Sequence, residues 1–168
     1  MSDVVSIELL LDPESDASVR GDWDRLARAG HSSLGSHRSP SNSPHVTLLV
    51  RPALAQNRFA QASALLPVTL SLGSPIVFAH GDRGVLVRPV LLTPELQALH
   101  AAVHAAAAPG EDAPHTAPGE WTPHVSLARR LRLTSLPEAL ELLGPESTAS
   151  GVALRRWDSA SATVTTLD

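Results

Sequence analysis

The pentapeptide Pro44-His45-Val46-Thr47-Leu48 returns almost letter for letter as Pro123-His124-Val125-Ser126-Leu127. No other feature constrains the fold as strongly. A short apolar run with a histidine and a hydroxyl two residues apart reads as a β-strand, in which residues i and i+2 share one face. His45 and Thr47 then point one way, while Val46 and Leu48 point into a core. His124 and Ser126 repeat the arrangement, with Val125 and Leu127 behind them. Two such strands can build a two-sided site with an imidazole beside a hydroxyl on each side.

The segments around the repeat are themselves repeated. Residues 4–11 form a strongly apolar strand. Residues 13–30 form a helix, with acidic residues at its start, Trp23, Leu26 and Ala27 at helical spacing, and Gly30 as its stop. Residues 31–43 are a loop rich in Ser, Gly and Pro, and the first motif strand spans 44–50. An Ala-rich helix is expected over 53–66, ended by Pro67. Strands are expected at 68–72, 76–79 and 85–91, the last two joined in a hairpin by Gly81-Asp82-Arg83-Gly84. Thr93 caps a helix that begins at Pro94 and runs to about residue 108. A second Pro/Gly-rich loop, 109–122, leads into the second motif strand. A helix near 135–143 and strands within 151–157 and 160–167 complete the chain. Each half thus holds a helix, a flexible loop, a Pro-His strand and another helix. The pattern predicts an α+β fold, a single bilobal domain over residues 1–168. Two similar lobes, with antiparallel-rich sheets and flanking helices, face each other around a central cleft.

Composition narrows the function. A chain of 168 residues that is 43% apolar can bury a real core. With no cysteine, disulfides and thiolate metal sites are excluded, which fits a reducing compartment. The start of the chain lacks the basic and apolar regions of a signal peptide, and no apolar run reaches the ~18 residues of a membrane span. A cytoplasmic protein without membrane contact is expected. A net charge of −4 argues against a broad footprint on duplex DNA. It leaves room for a small anionic ligand held by local positive groups.

The two motifs, about eighty residues apart, resemble those of the two-histidine (2H) phosphoesterase superfamily. That group includes the RNA 2′,5′-ligase-like proteins and cyclic phosphodiesterases. The run Trp121-Thr122-Pro123-His124-Val125-Ser126-Leu127-Ala128-Arg129 is similar to the family's aromatic-x-Pro-His-x-Thr-Leu-Ala-Arg, with Ser126 in place of Thr. The hairpin around residues 78–90 and the following helix with Leu96, Leu99 and Val103 also resemble the family's middle segment. The resemblance implies a metal-independent phosphoesterase, with no cofactor, acting on 2′,3′-cyclic phosphates or 2′,5′-phosphodiester bonds. Ligation is implied in the reverse direction. The expected partner is a small nucleotide or RNA end, and the chain is expected to act as a monomer.

The chemistry accounts for the residue types. Opening a cyclic phosphate needs one proton taken from water and one given to the leaving ribose oxygen. Two imidazoles on opposite sides of phosphorus can do both, because an unperturbed histidine pKa of about 6.5 allows either form near neutrality. His45 and His124 are the catalytic candidates, and Thr47 and Ser126 the phosphate-binding ones. Arg129, Trp121, Arg38 and His37 are candidate substrate contacts. Arg129 lies at i+5 from His124, so an unbroken strand points it away, and a bulge is needed to bring it round. Trp121 is expected to pack rather than stack a base. His31, His37 and His115 are read as surface loop residues. No carboxylate lies close to the first motif in sequence, as none occurs between residues 39 and 79. Two other classes stay open: a metal-dependent hydrolase drawing on the eight histidines, and a noncatalytic RNA- or nucleotide-binding protein using the same cleft. The first is weakened because neither motif carries a second ligand at a usual spacing.

Overall fold

In the computed structural model, which describes residues 2–56 and 58–168, the chain begins with strand β1 (Val5–Leu11), apolar except for Ser6 and Glu8. Helix α1 (Pro13–Arg28) starts where Asp12 accepts a hydrogen bond from the Ser15 amide and Pro13 occupies the first turn. Both features favour a helix start, because the first amides of a helix lack internal partners. The loop that follows contains one 3₁₀ turn, Leu34–Ser36, and leads into β2 (His45–Arg51). Then come α2 (Ala60–Ser63), β3 (Val68–Leu72), β4 (Ile76–His80) and β5 (Arg83–Pro89). Helix α3 (Pro94–Ala107) is capped by the Thr93 hydroxyl. After a second long loop come β6 (His124–Arg132), α4 (Leu136–Glu141), β7 (Ser147–Asp158) and β8 (Thr163–Leu167).

All strand pairs are antiparallel, in the order β3-β7-β1-β2-β6-β5-β4, with β8 added to β7. The order is symmetric about its middle. β1 lies beside β2 as β5 lies beside β6, and the two halves meet where Val46 pairs with Val125. The helices cross over this seam. Helix α1, from the first half, packs against β6 as well as β1 and β7, and α3, from the second half, packs against β2 and β3. Val46, Leu48, Val125 and Leu127 are fully buried beneath them with Leu26, Leu96 and Leu99. The fold is α+β, with two lobes sharing one sheet.

Both motif strands carry a bulge at the same motif position. β1 pairs Ile7 with Leu49 and then Glu8 with Thr47, so Leu48 is the extra residue in β2. β5 pairs Leu86 with Ala128 and then Val87 with Ser126, so Leu127 is its counterpart in β6. An extra residue reverses the alternation of faces beyond it. Consecutive residues are therefore buried after each motif, Leu48 with Leu49 and Leu127 with Ala128. A second irregularity follows between Ala128 and Leu131, where Arg130 has φ of +53°.

Three expected elements differ. The helix expected over 53–66, part of which (Asn57) lies outside the described residues, is reduced to the single turn α2. No capping side chain starts it. The carbonyls of Leu54 and Gln56 accept instead from the Arg156 guanidinium, both at 2.8 Å. The helix expected at 135–143 is a 3₁₀ turn followed by the short α4. The hairpin turn is tighter than the sequence suggested. His80 pairs with Arg83, so only Gly81 and Asp82 turn, with Gly81 at φ +62°.

Candidate active site

Antiparallel pairing at Val46 and Val125 puts His45 across from Ser126 and Thr47 across from His124. The four polar side chains form a square on the face away from the helices. In a regular ladder, directly opposed residues have Cβ atoms about 5 Å apart and diagonal ones about 7–8 Å apart. The two histidines occupy one diagonal. All four are half-buried, while the valine and leucine between and after them are buried.

Each imidazole is anchored in the same way. His45 Nδ1 is 2.8 Å from the Ser43 carbonyl, and His124 Nδ1 is 2.8 Å from the Thr122 carbonyl. An Nδ1–H donated to a carbonyl leaves Nε2 as the working nitrogen. The strands beneath are clamped in pairs too. The Trp23 indole on α1 donates to the Ser126 carbonyl at 3.0 Å, and the Trp121 indole donates to the Thr47 carbonyl at 2.9 Å. Trp121 is buried and stacked on His100 at 3.9 Å. Burial pushes the His100 pKa down to about 4, so the ring under Trp121 is neutral at ordinary pH. Trp121 thus supports the floor from below and does not line the cleft. Trp23 was read only as a helix residue; its indole clamp has no sequence signature.

A cleft of about 440 Å³ opens over this floor, lined by His45, Thr47, Glu8, Arg129 and Arg155 among others. Arg129 reaches it because the Leu127 bulge returns position 129 to the histidine face. Val50, its counterpart five residues after His45, lines the cleft as well. Arg129 has no carboxylate within ion-pair distance among the described residues. His124 and Ser126 are not among the residues that line the cleft; the pairing of Val46 with Val125 sets them beside it on the neighbouring strand, and the His124 ring packs edge-on to Phe78 at 5.3 Å. Burial holds the His124 pKa below its ordinary value. His45 and Arg129 push the same way, against the Thr122 carbonyl. Of the loop candidates, His37 lines the cleft, whereas Arg38 is exposed and outside it. His115 is exposed, but the side chain of His31, expected on the surface, is largely buried beside Glu138.

Distance in sequence misled on one point. A carboxylate does stand beside a motif histidine: Glu8 Oε1 is 3.6 Å from His45 Nε2. β1 delivers it by pairing with β2. Glu8 is buried, with Oε2 bonded to Arg155 Nε at 2.7 Å and Oε1 to the Ser6 hydroxyl at 3.0 Å. The available signal was a lone acidic residue inside an apolar strand, since such a charge needs a partner. Among the described residues, no three His, Asp or Glu side chains are grouped as a metal ligand set.

The sequence pattern of the 2′-5′ RNA ligase superfamily matches residues 13–168. The chain belongs to that superfamily. Membership supports a phosphoesterase-type activity. No curated protein matches the sequence. Among solved structures, Escherichia coli LigT complexed with NADP+ is 17% identical, with a TM-score of 0.51, covering 99% of this chain and 95% of that one. A phosphoesterase is 16% identical, with a TM-score of 0.50 and coverage of 99% and 95%. At such identities the likeness bears on the fold, which is the one described above.

Proposed function

We propose that this protein is a phosphoesterase that opens 2′,3′-cyclic phosphates or cleaves 2′,5′-phosphodiester bonds of RNA ends or small nucleotides, with His45 and His124 as its acid and base. The observation that carries this reading is the polar square, in which two imidazoles anchored through Nδ1 lie diagonally across one floor with a hydroxyl beside each. A phosphate above the floor meets a nitrogen from each side and a hydroxyl from each strand. Water attacks phosphorus and gives its proton to one Nε2, the bond to the leaving ribose oxygen breaks, and that oxygen takes a proton from the other imidazolium. Thr47 and Ser126 donate to the non-bridging oxygens, and Arg129 adds positive charge at the rim. The binding of NADP+ by LigT fits a nucleotide-sized ligand. The scheme itself calls on no metal.

The test is turnover on 2′,3′-cyclic nucleotides, 2′,5′-linked dinucleotides and ADP-ribose cyclic phosphate, with and without chelator. The reading expects hydrolysis that survives chelation and is lost in the His45→Ala, His124→Ala double variant. Binding without turnover on every substrate would make the protein a noncatalytic nucleotide binder. A metal requirement, or a double variant with full activity, would end the two-histidine scheme.

A further inference from the structure

The two half-sites match at the histidines, the hydroxyls, the bulges and the indole clamps, and they differ where the neighbouring strand contributes. The residue across from Thr47 is Glu8, and the residue across from Ser126 is Val87, fully buried. An imidazolium at His45 therefore has an acceptor for each N–H, the Ser43 carbonyl on Nδ1 and the Glu8 carboxylate facing Nε2. An imidazolium at His124 has only the Thr122 carbonyl, with the Phe78 ring as its other neighbour and no carboxylate within ion-pair distance among the described residues. Resting on the two-histidine reading above, we propose that Glu8 is a positioning residue that makes His45 the proton donor and leaves His124 the proton acceptor.

Other charges face His45 from every side and must be weighed. Arg155 on β7, Arg129 and His124 on β6 and His37 in the loop all line or adjoin the same cleft. Arg155 and Arg129 oppose a further positive charge, and the two histidines do so only when protonated. Arg155 holds the far oxygen of Glu8, Oε2, and leaves Oε1 turned to the imidazole. Glu8 is also fixed by Ser6 and has little room to rotate away. An opposite charge within about 4–6 Å favours the charged form of a titrating group, by roughly one to three pKa units. At His124 the balance runs the other way, since burial, His45 and Arg129 all favour the neutral ring. In turnover, His124 Nε2 takes the proton of the attacking water as its bond to phosphorus forms. His45 Nε2–H gives its proton to the leaving oxygen as the old bond breaks. Exchange with solvent then restores both rings.

Two readouts test this in the full-length protein. One is an imidazole NMR titration of the wild type, Glu8→Gln and Arg155→Gln. The other is the pH–rate profile of the same three on a 2′,3′-cyclic nucleotide. In the wild type His45 should keep its proton to higher pH than His124, and the alkaline limb should follow His45. Glu8→Gln should move that limb down by about one pH unit, the low end for an opposite charge at this range, and Arg155→Gln should move it up. A merely structural role for the pair would lower rate and stability in both variants without shifting the limb in opposite directions. His124 holding its proton above His45, or an alkaline limb unmoved by Glu8→Gln, would overturn the assignment while leaving the phosphoesterase reading intact. Absence of wild-type turnover would defeat that reading, and the NMR order and its response to Arg155→Gln would still decide the role of Glu8. The same two measurements decide it if Glu8→Gln does not fold.

Discussion

Replacing Arg129 with Met removes one charge from the cleft and leaves most of the side-chain volume. Arg129 has no ion-pair partner among the described residues, so the change strands no buried carboxylate and should not disturb the fold. Its value lies in the ligand. A hydrogen bond to a charged group contributes about 1.5–3 kcal/mol. At about 1.36 kcal/mol per factor of ten, that is roughly 10- to 150-fold in kcat/KM. The side chain is exposed, and solvent screening weakens such contacts, so about tenfold is expected. A second effect follows from position. Arg129 helps to hold the His124 pKa down, so its removal lets that pKa rise. With His124 as the base, activity is lost below its pKa, and the acid limb of the pH–rate profile should move to higher pH. The assay is kcat/KM on a 2′,3′-cyclic nucleotide from pH 5 to 9, with Arg38→Met as the control because Arg38 lies outside the cleft. Loss of less than about twofold in Arg129→Met, with an unmoved acid limb, would show that the bulge does not deliver this side chain to the phosphate.

His45→Ala and His124→Ala should each cost about 10²- to 10⁴-fold in turnover with circular dichroism unchanged, since both rings sit on the polar face. Thr47→Val and Ser126→Ala should cost about tenfold, as each loses one hydrogen bond; a loss as large as for the histidines would contradict the assigned roles. Asp22→Ala should destabilise the fold by about 3–5 kcal/mol, read by denaturant unfolding. It strands the buried Arg88, which donates to Asp22 at 2.9 and 3.1 Å, and a change below about 1 kcal/mol would refute the pairing as a stabilising element. Trp121→Phe keeps a ring against His100 but loses the bond to the Thr47 carbonyl, so about 0.5–1.5 kcal/mol of stability should go; no measurable change would mean the clamp contributes nothing.

What the sequence disclosed was whatever is local. The period-two pattern at Pro44 and Pro123 placed the start of both motif strands within a residue, and the long helices were marked by signals just as local, the spacing of Trp23, Leu26 and Ala27 before Gly30 in one and the Thr93-Pro94 cap in the other. The helix expected over 53–66 failed for a non-local reason, since Arg156, a hundred residues on, takes the carbonyls a helix would have used. Glu8 was invisible for the same kind of reason. It is 37 positions from His45 and becomes its neighbour only through the pairing of β1 with β2. The bulges at Leu48 and Leu127 are equally silent, as nothing in two adjacent leucine-rich runs announces an extra residue. Yet the bulge decides that Arg129 faces the cleft.

The crossing at Val46 and Val125 has a consequence for direction. In an in-line displacement at phosphorus, the attacking and leaving oxygens occupy opposite apices, and exchanging them turns the forward reaction into its reverse. A site with near two-fold symmetry about that seam offers both apices the same imidazole and hydroxyl, so its repeated parts treat entry and departure alike. Any preference must come from the positions that break the duplication, Glu8 against Val87 and Arg129 against Val50. Those four residues are where selection could tilt an otherwise even-handed site toward breaking a bond or toward making one.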